Sequence, residues 1–178
     1  MFWRLLLSLP ALIGQCFRAI FIGAMIGPVA FFLGQLLPRQ NFDYDLPPYS
    51  AYKWERGGNI YRLIGIHRWK DAVPDMSRYI RSMVKKKIVI FRDPDYLDAL
   101  IRETCVAELV HYMLMLLSPI FLIFMSGYPG VIAAAAYCLC NMPFVLIQRY
   151  NRPRLVELME RQLATKQRTA QESSPAKV

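Results

Sequence analysis

Two ionisable side chains stand three residues apart in an otherwise apolar stretch. They are Glu108 and His111, within Glu103-Thr104-Cys105-Val106-Ala107-Glu108-Leu109-Val110-His111-Tyr112. Glu108 is the one formal charge between residues 105 and 148. On a helix, positions i and i+3 are neighbours on one face. An ionisable group inside a membrane span is costly to bury and is a functional candidate by default. Two readings follow: both side chains snorkel to the headgroups, or His111 is a general base that Glu108 orients or charge-balances. A metal site is not expected, because a carboxylate-bridged site needs a second ExxH and the chain has none.

A second polar group closes the next apolar stretch: Asn141-Met142-Pro143-Phe144-Val145-Leu146-Ile147-Gln148-Arg149-Tyr150-Asn151-Arg152-Pro153-Arg154. Asn141 and Gln148 share a helical face, and a buried amide is expensive unless paired. Arg149, Arg152 and Arg154 read either as a membrane anchor or as a site for carboxylate or phosphate, which the guanidinium fork grips in pairs of hydrogen bonds. His67 and Asp71 have an HxxxD spacing, one residue shorter than the HxxxxD of soluble glycerolipid acyltransferases. Trp69 and Lys70 beside them read as interfacial contacts. There is no phosphate-binding glycine loop and no GxSxG elbow. Cys16, Cys105, Cys138 and Cys140 form no CxxC pair and read as apolar thiols.

The elements needed to position these groups are helices in a membrane. Hydrophobic residues make up 55% of the 178, and the net charge of +9 is segregated. Residues 39–102 carry 13 Lys/Arg against 8 Asp/Glu, and residues 149–178 carry seven against three. Basic blocks flanking apolar ones fit anionic lipid headgroups and leave no place for nucleic acid. The pattern predicts an all-α integral membrane protein with about three transmembrane helices, the last two an antiparallel hairpin, plus interfacial amphipathic helices. The spans fall at about 19–37, 106–125 and 131–148, each near the length that crosses a bilayer. Leu5–Phe17 with Arg4 can be read as a signal peptide, but the apolar pattern resumes after Arg18, which favours a retained helix.

Residues 39–104 read as an interfacial region, rich in Tyr and Trp among basic residues. Short helices are expected at Trp54–Leu63 and Met76–Val84 and a short strand at Ile88–Phe91. A helix start is expected at Asp93-Pro94, leading into the second span. Residues 153–168 form an amphipathic tail helix in the same single membrane domain, and 169–178 read as disordered. Basic flanks place the protein in the cell membrane as a multi-pass chain, with the basic face and C-terminus cytoplasmic; Arg4 and Arg18 pull the other way. With the hairpin apex at Gly127–Tyr128, His111 lies level with Phe144 and Glu108 with about Ile147. Glu108 and His111 are then expected to face Gln148, Arg149 and Asn141.

On these residues the chain resembles the glycosyl-4,4'-diaponeurosporenoate acyltransferases of carotenoid biosynthesis. The likeness lies in Glu103-Thr104-x-x-Ala107-Glu108-Leu109-x-His111 and in Asn141-x-Pro143-x-x-x-x-Gln148-Arg149-Tyr150-Asn151-Arg152-Pro153-Arg154-Leu155. It extends more weakly to Glu55-x-x-Gly58 and Trp69-Lys70-x-x-x-Pro74-Asp75. The resemblance, over roughly residues 38–160, implies transfer of a fatty acyl chain to a sugar hydroxyl of a membrane glycolipid. The resemblance carries over no catalytic residues; for that reaction the residues' own chemistry makes His111 the catalytic base, with Glu108 to orient or charge-stabilise it, and Asn141 and Gln148 hydrogen-bond the sugar or the developing oxyanion. Arg149, Arg152 and Arg154, with Asn151, Trp69 and Lys70, bind substrate. The donor is acyl-CoA or an acyl-carrier protein, with no other cofactor. Anionic lipid headgroups are further partners, and a homodimer is left open. The alternatives are a non-catalytic adaptor binding anionic lipid or a partner enzyme, and a lipid hydrolase or metal enzyme.

Overall fold

The computed structural model describes residues 2–73, 93–125 and 127–173, with side chains described from Pro10 to Glu172 within those ranges. The expected helix Met76–Val84 and strand Ile88–Phe91 lie outside the described residues. Every long element described is helical: α1 (Phe2–Leu36), α3 (Pro94–Leu117) and α5 (Tyr128–Ser173), with the short α2 (Ile66–Trp69) and α4 (Ile120–Phe124). Three stretches, Pro10–Leu36, Pro94–Phe124 and Tyr128–Glu172, are long and apolar enough to cross a membrane. The all-α membrane architecture is therefore the one expected. The chain packs as two compact units, residues 1–37 with 107–145, and residues 38–106 with 146–178.

In the first unit α1 presents Phe17, Ile20, Phe21, Phe32 and Leu33 at its surface. Exposed apolar area on this scale needs a non-aqueous neighbour. The second span does not run unbroken to Met125. It stops at Leu117, because Pro119 has no N–H and its ring crowds the preceding turn, and resumes as α4. Gly127, with φ of +73°, then turns the chain into α5. The hairpin closes at Gly130, where an added Cβ would stand 2.3 Å from the Met125 carbonyl oxygen. Below that apex the Phe121 and Tyr137 rings meet at 5.2 Å, and Gly23 of α1 lies against Tyr137. Arg18 reaches the Phe124 carbonyl at 3.4 Å, so a cation in α1 caps the C-terminal end of α4. Cys16 and Cys140 are exposed, and Cys105 is buried.

In the second unit the basic segment folds as short turns against α3 and α5. Trp54–Leu63 is not one helix. Arg56, Gly57 and Gly58 all have positive φ, a conformation that ends a right-handed helix. Two 3-10 turns result, Lys53–Glu55 and Asn59–Ile64. Gly58 comes so close to α5 that a Cβ there would meet Arg154 Nη1 at 3.0 Å and the Arg149 and Tyr150 carbonyl oxygens at 3.2 Å. Pro153 explains why the Arg149 carbonyl can be approached: it supplies no N–H to that carbonyl four residues earlier. Even so, α5 continues without interruption from the third span through the expected tail helix to Ser173.

A buried ion pair ties the loop to α5. Glu55 and Arg149 are 1% and 7% exposed. Arg149 donates to the Glu55 carboxylate from Nε and, at 2.8 Å, from Nη2. Its Nη1 donates to the Pro48 carbonyl at 2.9 Å. Tyr61 donates its hydroxyl to Glu55, and the Tyr52 backbone N–H donates to the same carboxylate at 2.7 Å. Burial by itself would raise the Glu55 carboxyl. The hydrogen bonds from Arg149, Tyr61 and Tyr52, with the Arg149 charge, outweigh it and hold the group below its ordinary 4.5. Burial, and then the Glu55 carboxylate, push the Tyr61 phenol well up. Alongside, Tyr61, Ile66 and Tyr150 form a small apolar core with Trp69 and Ile147.

Two predictions follow from this packing. Gly130→Ala must displace the Met125 carbonyl, and overpacking of this kind costs about 1–3 kcal/mol; an unchanged melting temperature in detergent would contradict the tight apex. Arg149→Ala leaves a buried carboxylate uncompensated, at a cost of roughly 3–5 kcal/mol. In the parent protein the pair's contribution is complete above the unfolded carboxyl value near 4.5 and fades as pH falls through the lower folded value. Denaturation midpoints read from tryptophan fluorescence, with the Trp54 ring stacked on Tyr52, should therefore drop on acidification in the parent and drop less in Glu55→Gln, where the lowered Asp98 carboxyl still titrates.

Candidate functional site

The hairpin brings three of its side chains together. Counting up the two arms from Gly127 sets His111 level with Phe144, and the two rings are stacked, 4.4 Å apart and 9° from parallel. His111 Nδ1 lies 2.8 Å from Asn141 Oδ1. The Asn141 amide nitrogen donates to the Tyr137 carbonyl one turn earlier in α5, also at 2.8 Å. Asn141 is buried, His111 half-buried. Glu108, one turn before His111 in α3, is wholly buried. It is Asn141, expected to bind substrate, that holds the imidazole at Nδ1.

Gln148, Arg149, Asn151, Arg152 and Arg154 belong to the second unit, Glu108 and His111 to the first. Arg149 is locked on Glu55 as described. Arg152 is 2% exposed and donates from Nε to Thr104 Oγ1 at 2.8 Å, from Nη2 to the Thr104 carbonyl at 3.0 Å and from Nη1 to the Tyr49 carbonyl at 2.6 Å. Thr104 Oγ1 in turn donates to the Ile101 carbonyl at 2.6 Å. Arg154 lies over the Tyr150 ring, 3.7 Å from its centroid, and reaches Asn59 Oδ1 at 2.9 Å. Gln148 and Asn151 are half-buried. Trp69 packs on the Tyr61–Ile66–Tyr150 core and donates its indole N–H to the Ile64 carbonyl at 3.1 Å; Lys70 pairs with Asp71 at 3.0 Å.

A cleft of about 240 Å³ opens over the inner arginines of this unit, lined among others by Tyr49, Arg149 and Arg152 and by the carboxylates of Asp45, Glu157 and Glu160. Tyr44 also lines it. Burial first, then its hydrogen bond to Asp98, push the Tyr44 phenol up to about 12, so at neutral pH it stays a donor and holds Asp98 at 3.0 Å. The volume is below the ~300–1,000 Å³ of pockets that enclose a drug-sized ligand.

The residues that sequence reasoning missed are Glu55, Tyr61, Thr104 and Phe144. Glu55 carried one signal, its place in Glu55-x-x-Gly58. Nothing in spacing could pair it with Arg149, which lies 94 residues away. Among the described residues no three His, Cys, Asp or Glu side chains are grouped to hold a metal ion.

A family model described as glycosyl-4,4'-diaponeurosporenoate acyltransferase matches residues 45–161. Three curated relatives carry the name glycosyl-4,4'-diaponeurosporenoate acyltransferase. They come from Staphylococcus aureus strains bovine RF122 / ET3-1, MRSA252 and USA300, and are 27%, 27% and 26% identical over 133 residues, 71% of this chain and 77% of each relative. No solved structure matches the chain. The matched range holds Glu55 with Arg149, and His111 with Asn141. The chain thus belongs to the glycosyl-4,4'-diaponeurosporenoate acyltransferase family and is an acyltransferase.

Proposed function

We propose that this acyltransferase esterifies a fatty acyl chain onto a sugar hydroxyl of a membrane glycolipid, such as a glycosylated carotenoid. The name of its relatives supports the acceptor class. The single structural observation that carries the reading is the His111–Asn141 contact: an imidazole held at one nitrogen, inside an apolar hairpin, with the other nitrogen left for chemistry. Membership of an acyltransferase family favours this over the adaptor and hydrolase alternatives.

In the proposed reaction His111 Nε2 takes the proton of the sugar hydroxyl while that oxygen bonds to the thioester carbonyl carbon of acyl-CoA or an acyl-carrier protein. Collapse of the tetrahedral adduct breaks the carbon–sulfur bond, and the imidazolium returns the proton to the departing thiolate. Glu108 favours the transient imidazolium from one helical turn away. Gln148 and Asn151 hydrogen-bond the polar part of the substrate, with Trp69 and Lys70 at the lipid interface. Arg149 and Arg152 line the cleft that receives a substrate headgroup, and Arg154, over the Tyr150 ring, adds a further cation for it. The protein acts in the cell membrane with its basic segments cytoplasmic, where anionic lipids hold them.

His111→Ala should lower acyl transfer by roughly 10²–10⁴-fold, the usual worth of a positioned base, while membrane insertion is unchanged. The assay supplies labelled acyl donor and glycolipid to protein in nanodiscs. Transfer at the parental rate would remove His111 from the mechanism.

A further inference from the structure

We infer that Asn141 is a positioning residue that fixes the tautomer of His111, an inference that rests on His111 being the base proposed above. A carbonyl oxygen only accepts hydrogen bonds. The Asn141 atom 2.8 Å from the Tyr137 carbonyl must therefore be the amide nitrogen, which leaves Oδ1, an acceptor, facing His111 at 2.8 Å. An acceptor opposite Nδ1 requires the proton on Nδ1, so Nε2 carries the lone pair. Oxygen–nitrogen ambiguity in the amide does not affect this, because the Tyr137 carbonyl decides the orientation chemically.

Three further observations make the arrangement a built one. Asn141 is 7% exposed, so water competes little for either end of its amide. Phe144, one turn on in α5, stacks on the imidazole and blocks rotation of the ring out of its plane. Tyr137, Asn141 and Phe144 all stand on α5 and His111 on α3, so closure of the hairpin sets the tautomer. An asparagine does this without adding a charge. When Nε2 accepts a proton the Nδ1–H···Oδ1 bond is kept and strengthened, since charge-assisted hydrogen bonds are the stronger ones.

The experiment uses full-length protein in nanodiscs, with ¹⁵N-labelled histidine and His67→Gln to leave one imidazole signal. His67 is exposed and lies outside the site. Long-range ¹H–¹⁵N spectra report the tautomer, and the same samples give kcat and KM. The parent should show the Nδ1–H pattern. Asn141→Leu, which removes the acceptor, should revert toward the Nε2–H form that free imidazole side chains prefer. Its kcat should fall roughly tenfold or more with KM within about twofold. Asn141→Asp keeps an acceptor for Nδ1–H and loses the donor to Tyr137; it should keep the Nδ1–H pattern and recover part of kcat, a rescue that a purely structural role would not give. An Nε2–H pattern in the parent overturns the inference, as does Asn141→Leu with parental pattern and kcat. Should Asn141→Leu not fold, the parent pattern and the Asp variant decide. Parental transfer by His111→Ala with the tautomers behaving as stated would instead remove the base assignment and leave Asn141 as the group that orients the ring.

Discussion

A polar group withdrawn from water must be paired inside the protein, because an unpaired one costs several kilocalories per mole. This chain is built around that constraint. Its buried polar residues include Glu55, Thr104, Asn141, Arg149 and Arg152, and each is bonded. Arg149 divides its donors among Glu55, Pro48 and Ser50. Arg152 takes both oxygens of Thr104. Asn141 uses the two ends of its amide on two different partners. Removing any one partner strands another group, so these contacts act as fixed joints.

Each unit meets the constraint with different chemistry. In the second unit the joints are ionic and join a loop to helices. Guanidinium forks fold the 38–65 segment onto α5 and α3, with aromatic rings packed on the cations: Arg149 over Tyr52, Arg152 over Tyr49, Arg102 over Tyr44. A planar, delocalised, weakly hydrated cation suits such burial better than an ammonium. In the first unit the joint uses no carboxylate and no guanidinium. An amide and an imidazole bridge α3 and α5 where a charged pair would be dearer to desolvate.

Membership of the glycosyl-4,4'-diaponeurosporenoate acyltransferase family gives these joints a purpose. Acyl transfer to a hydroxyl needs one proton moved and one carbonyl approached, and positioning supplies most of the rate. A small helical protein can provide that with a single oriented imidazole. The exposed apolar side chains of α1 call for a non-aqueous neighbour, which an acyltransferase with three helices long and apolar enough to span a membrane would meet in lipid.

Much of this was legible in the residues themselves. Segregated charge and three long apolar runs determined an all-α membrane chain, because the bilayer admits few other solutions. Ser126-Gly127-Tyr128-Pro129-Gly130 determined the hairpin, and the hairpin determined that His111 and Phe144 are level. The long polar block from Gln148 to Leu155 determined the family. What only the tertiary structure decided was partnership. Asn141 and not a substrate meets His111 at Nδ1, and Glu55 closes on Arg149 across 94 residues. Helical spacing specifies which residues share a face but not which faces meet. A buried hydrogen bond depends on that second fact to within a few tenths of an ångström, and only the packed chain supplies it.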